Sequence, residues 1–225
     1  MKKVLPLHKR RGRALLCLLV TAFCLLLLWL LAGMPSTDPA VLARRDAQCS
    51  LVEVDRVLYT GRYNKGKSAF VALLGTDGKV WLGRYQRYQY VPLLYQPTGY
   101  GLETCDNLDG AAYFCESPLV AEHAYLVLRD ERAAAVKMTV RFTLDGLQHE
   151  EAMNGWDVGN GVFQLDLNEM LNTAQGRVYD SVDPTTYDRS LYWFVFPSHL
   201  GLSAFDAYDI RAYDAAGNEI GCWTA

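Results

Sequence analysis

The 225 residues are 51% hydrophobic and 21% charged with a formal net charge of −3, which excludes a disordered chain and supplies enough apolar material for a sizeable core. The charge is unevenly spread: six of the 22 Lys and Arg (Lys2, Lys3, Lys9, Arg10, Arg11, Arg13) precede residue 14, leaving 16 against 25 Asp and Glu, about −9, in the remainder. A domain so acidic repels phosphates as a whole, which excludes nucleic acid as its partner.

Residues 14–33, ALLCLLVTAFCLLLLWLLAG, carry no charge and ten leucines. A helix of that length spans roughly 30 Å, the thickness of a bilayer hydrocarbon core. The basic tail belongs on the cytoplasmic side. The expected topology is a cell-membrane protein with a single pass: cytoplasmic tail 1–13, transmembrane helix 14–33, stalk 34–48 and an extracytoplasmic domain. A cleaved signal peptide begins the same way but has an apolar region of roughly 7–15 residues and a small-x-small site; here Pro35 is badly placed for cleavage, and Met34 stands where a lipoprotein needs cysteine. A buried core helix of a soluble protein is disfavoured, because the run is apolar on every face and sits behind a hexabasic tail. Trp29 suits the membrane interface, and Cys17 and Cys24 are apolar filler on one helix face.

In the stalk, two prolines mark an irregular link, with room for a helical turn over 39–47. Beyond Cys49 the pattern becomes short runs between turn residues. Residues 50–60 and 68–74 read as strands, and Gly75-Thr76-Asp77-Gly78 turns into a third over 79–90. Residues 91–118, rich in Tyr, Gly and Pro, read as loop with one or two short strands. Residues 122–129 form a further strand. Over 134–144, Ala134, Val136, Met138, Val140, Phe142 and Leu144 alternate with mainly polar residues, which predicts a strand with one buried face. Asp145-Gly146 turns it into a partner over 147–153, and residues 162–167 and 191–196 follow, with a short helical turn at 168–172.

The end of the chain, a strand finishing in AYDAAGN and a short last strand, resembles the final hairpin of bacterial immunoglobulin-like and fibronectin-type sandwiches. The resemblance covers residues 207–223 and lacks the Cys…Trp…Cys framework of immunoglobulin domains. It implies a sandwich architecture; the setting expected for the whole protein is the bacterial cell envelope. The expected fold is therefore mainly β: the transmembrane helix, then a small β module (49–118) and an Ig-like β-sandwich (119–225), divided near Pro118.

Four cysteines lie outside the span. An even number in an exported domain suggests disulfides, Cys105 with Cys115 across a turn-rich loop and, by elimination, Cys49 with Cys222; buried free thiols are the alternative. Neither Cys-x-x-Cys nor paired His spacing is present, so no metal or other cofactor is expected. His123, His149 and His199 are isolated; Cys115 with His123 and Ser198 with His199 are the nearest to a nucleophile pair, without a nucleophile motif. Asp157, Asn160, Asp180, Asp183, Asp188, Asp206, Asp209 and Asp214 read as turn residues, and the run 157–161 lacks the alternating ligands of an EF-hand.

The feature folding explains least is Tyr85, Tyr88, Tyr90, Tyr95 and Tyr100, interspersed with Arg and Gln. Tyrosines suit stacking on sugars or docking a protein, as they suit packing at a strand edge. Strand alternation puts Tyr88 and Tyr90 on the face opposite Tyr85, so at least one ring is expected to stand free as part of a ligand-facing patch. The expected function is a non-catalytic, membrane-anchored binding or assembly module with a protein or carbohydrate ligand. An exported hydrolase with a scattered active site and a regulatory subunit of a membrane complex are the alternatives.

Overall fold

The computed structural model describes residues 7–31, 34–116, 123–144, 146–167 and 201–225. Helix α1, Leu7–Leu31, is a 25-residue helix whose large apolar side chains from Leu15 to Trp29 are 41–65% exposed. Among the described residues no helix is long and apolar enough to cross a membrane, so the transmembrane helix expected over 14–33 is not supported there. Met34, with φ 51°, donates its N–H to Trp29 O (3.0 Å), and Trp29 Nε1 donates to Pro35 O (3.1 Å).

Where a stalk was expected there is a packed helix, α2 (Pro39–Cys49). Asp38 accepts the Ala40 N–H at 2.9 Å and Pro39 occupies the first turn, where its missing N–H costs nothing. The helix holds because Pro39, Leu42, Ala43 and Ala47 lie buried along one face. It ends at Ser50, before Leu51 with φ 57°.

That face covers a four-stranded antiparallel sheet, β1 (Val54–Tyr63), β2 (Ser68–Gly75), β3 (Val80–Tyr88) and β4 (Val91–Thr104), in the order β1-β2-β3-β4. Because both faces are covered, the central strand β2 is an unbroken apolar run. Ala69, Val71, Leu73 and Tyr85 pack with α2, while Phe70, Ala72, Val80 and Leu82 face the other way. Strand β4 is an edge, where Pro92 and Pro97 break no ladder on a central strand. The opposite edge, β1, carries register shifts at Val54/Arg56 and Val57/Tyr59.

The remaining strands are β5 (Asp106–Leu108), β6 (Ala111–Cys115), β7 (His123–Leu128), β8 (Ala133–Leu144), β9 (Leu147–Gly159), β10 (Val162–Asp166), β11 (Ala207–Asp214) and β12 (Glu219–Thr224). They form one sheet, ordered β12-β11-β8-β9-β10-β7-β6-β5. Tyr113, Leu126, Phe163 and Leu165 from one half share a core with Met138, Val140, Phe142 and Ile210 from the other, so the sheet curls over its own face toward a barrel. At the seam between the end strands, Trp223 Nε1 on β12 donates to Asp109 O after β5 (2.6 Å). The outer face, through Ala112, Phe114, Tyr125, Val127 and Val162, packs on the four-stranded sheet.

The chain is thus mainly β, with sheets packed face to face, compatible with a sandwich, and the larger one forming a near-barrel. The division expected near Pro118 falls between β6 and β7, which are hydrogen-bonded neighbours. The last hairpin forms at residues 207–224 and adds to β8 rather than to a second immunoglobulin-type sheet. The strand expected at 191–196, the turn at 168–172, Asp180, Asp183, Asp188, Ser198 and His199 lie outside the described residues.

Candidate functional site: the basic aromatic end of the four-stranded sheet

Both faces of β3 are covered, and that decides the fate of the tyrosine segment. Tyr85 is fully buried under α2, its hydroxyl donating to Asp46 Oδ2 at 3.0 Å; burial and that carboxylate push its phenol well above the ordinary range. Tyr95 is buried in the same layer, with the Arg87 guanidinium 5.9 Å from its ring centroid. Its backbone is bridged to the chain leaving α1: Ser36 N–H donates to Tyr95 O (3.0 Å) and Tyr95 N–H to Ser36 O (2.6 Å). These two rings are therefore core and not ligand-facing, which corrects the expectation of a single five-ring patch. The Tyr100 side chain is outside the described set.

What stands free is the tip of the β3–β4 hairpin. Tyr88, half-buried, meets Tyr90 edge to face at 5.7 Å, and Tyr90 is 80% exposed. Leu93 (77%) and Val91 (42%) are exposed beside it. At the same end of the sheet the β1–β2 turn places Asn64, Lys65 and Gly66 at positive φ. Arg87 ties the two turns together, donating its N–H to Lys67 O (2.8 Å) and its Nε to Gly66 O (2.7 Å). Arg62, Lys65, Lys67 and Arg87 are all exposed here, and no acidic residue occurs in 61–68 or 80–102. The expected patch included Tyr88 and Tyr90 but missed the lysines and the apolar tip; the signal was the acid-free run in an acidic domain.

A second polar cluster lies where the two sheets meet. Arg84 on β3 pairs with Glu103 and donates to Cys115 O (3.1 Å) and Glu116 O (3.4 Å). The Glu116 carboxylate, 2% exposed, accepts the His123 backbone N–H and faces His123 Nδ1, both at 3.3 Å. Cys115 is the last residue of β6 and Glu116 follows the strand; Cys115 joins the near-barrel core beside Tyr113 (Oη to Sγ 3.6 Å). Cys115 thus faces the near-barrel core while His123 faces Glu116, and burial pushes the Cys115 thiol up to about 12, which keeps it protonated and a poor nucleophile. This cluster sews the sheets together.

None of the six cysteines forms a disulfide, so neither expected bridge is made. Cys105 packs with the inter-sheet core and Cys115 with the near-barrel core, two faces of one sheet that a short S–S bond does not join. Cys49 ends α2, whereas Cys222 is on β12, at the far edge of the other sheet, with its Sγ 3.9 Å from Asp209 Oδ1. Among the described residues no group of three His, Cys, Asp or Glu is placed to hold a metal ion. His149 is buried and stacks on Phe142 at 5.4 Å. Asp157 accepts the Gly159 N–H (2.7 Å) in the β9–β10 turn and Asp214 those of Ala216 and Asn218 (2.9 Å each) in the last hairpin, turn roles in both cases.

Comparison of the chain with protein-family models, with curated proteins and with solved structures finds no match.

Proposed function

We propose that the protein is a single-pass, membrane-anchored binding or assembly module of the bacterial cell envelope, acting without catalysis. Its N-terminus is cytoplasmic and the β domain extracytoplasmic. The observation that carries this reading is α1: an uncharged run whose large side chains are exposed around the helix, behind a tail of six basic residues. A water-exposed helix of that composition has no partner for its apolar surface except lipid. A protein or carbohydrate ligand near the membrane is the class of partner such a module serves.

Protease added to spheroplasts carrying a tag at Met1 tests the topology. The domain beyond Pro35 is expected to be degraded while the tag and α1 survive in the membrane fraction. A soluble secreted product beginning near Pro35 overturns the anchor.

A further inference from the structure

We infer that the partner of this sheet end is the bilayer surface itself: Tyr90, Val91 and Leu93 seat in the membrane interface while Lys65, Lys67 and Arg87 lie against the phosphates of anionic phospholipids. The inference rests on the anchored topology proposed above and adds the orientation of the domain. Its first support is connectivity. Trp29 in the last turn of α1 bonds to Pro35, and Ser36 bonds to Tyr95 on β4. Leu93 is two residues from Tyr95, about 7 Å along the strand at ~3.4 Å per residue. The bridge is antiparallel, so the chain that leaves α1 runs along β4 toward the hairpin tip and holds that tip to the segment joining α1 to α2.

The second support is chemistry. An exposed Tyr, Val and Leu in one short turn, next to a second Tyr, make a contiguous apolar point rather than scattered single residues. Tyrosine rings are favoured at the headgroup level, where one end is apolar and the other wet. The third support is charge. The domain is acidic overall, yet its acids are absent from 61–68 and 80–102, where Arg62, Lys65, Lys67 and Arg87 are exposed. Asp38, exposed two residues past Ser36, is the acid that connectivity brings to this end; with a Debye length of about 8 Å at physiological salt, acids farther off are screened from a surface that the four cations touch.

The test uses the full chain in nanodiscs of phosphatidylcholine with phosphatidylglycerol, in nanodiscs of phosphatidylcholine alone, and in detergent micelles, read by hydrogen–deuterium exchange of peptides covering 86–94 and α1. The expected result is about tenfold slower exchange at the tip on anionic discs than in micelles, lost on replacing Lys65→Glu with Lys67→Glu and on Tyr90→Ser with Leu93→Ser. A tip that exchanges equally fast in discs and micelles while α1 stays protected overturns this inference and leaves the anchor standing. An unprotected α1 overturns both. Equal protection on zwitterionic discs overturns the role given to anionic headgroup charge, and equal protection in micelles means that the chain itself or a second copy covers the tip and overturns the lipid assignment.

Discussion

Gly61→Ala is the sharpest probe of how the two sheets are joined. Gly61 pairs with Phe70 across β1 and β2, and a Cβ added there sits 2.2 Å from Cε1 and Cζ of the Phe70 ring. The ring is fully buried and hemmed in by Tyr59, Tyr63, Phe114 and Tyr125 at centroid distances of 5.0–6.3 Å, so it has nowhere to retreat. Overpacking of this kind costs about 1–3 kcal/mol. For a unit of this size each kcal/mol lowers Tm by about 2–4 °C, giving an expected drop of about 2–12 °C. Thermal unfolding of the full chain in detergent, followed by near-ultraviolet circular dichroism, measures it. Phe70→Leu alone loses buried ring surface and costs about 1–2 kcal/mol. Combined with Gly61→Ala it makes room for the new methyl, so the double variant falls short of the sum by about 1 kcal/mol or more. A Gly61→Ala protein within about 0.5 kcal/mol of the parent, or a strictly additive double variant, refutes the reasoning.

Thiol accessibility follows the burial pattern: with iodoacetamide at neutral pH, Cys49 and Cys222 are expected to react within minutes and Cys115 only after denaturation, as mass spectrometry reads directly. Recovery of a Cys105–Cys115 bridged peptide contradicts the free thiols. In alkaline solution the folded protein keeps the Cys115 proton up to about 12 while the unfolded chain releases it near 9.0, so stability is intact below about pH 9 and falls as pH rises toward 12; urea midpoints across that range fall for the parent and less steeply for Cys115→Ala. Trp223→Phe removes the seam bond to Asp109 O and is expected to cost about 0.5–1.5 kcal/mol, with faster amide exchange in β12 and β5 and none in β2.

The parts of this fold that follow local rules were legible in the residues. The alternation over 134–144 reappears as Val136, Met138, Val140 and Phe142 buried on β8, and Gly146, at positive φ, leads into β9, which runs on to Gly159. The 68–74 and 79–90 strands and the last hairpin also fall where turn chemistry put them. What was missed depends on partners far away in sequence. Strand β4 hid behind Pro92 and Pro97, residues that discourage a strand except at an edge, and nothing local says that β4 is an edge. The helix at 39–49 had its signals in Asp38, Pro39, Leu42, Ala43 and Ala47, but so short a helix is marginal without the sheet that holds it. The same helix explains which tyrosines are core: alternation separates Tyr85 from the opposite face, α2 supplies the second core that takes Tyr85, and Tyr90 is the ring that stands free, as at least one was expected to. Four free cysteines outside α1 look the same in composition as two bridges, and only the face each occupies tells them apart.

The edges of the four-stranded sheet have a bearing on how copies of this protein meet. Along β4 the Tyr95 N–H and C=O are already taken by Ser36, and Pro92 and Pro97 carry no N–H at all. Along β1, register shifts at two places bend the strand, and Asp55, Arg56 and Arg62 stand exposed on it. Neither margin offers a straight, uncharged row of amides on which another strand could be laid down. Crowded copies are thereby barred from fusing this sheet into a continuous ribbon, and association is left to turns and side chains, contacts that come apart again without unfolding either molecule.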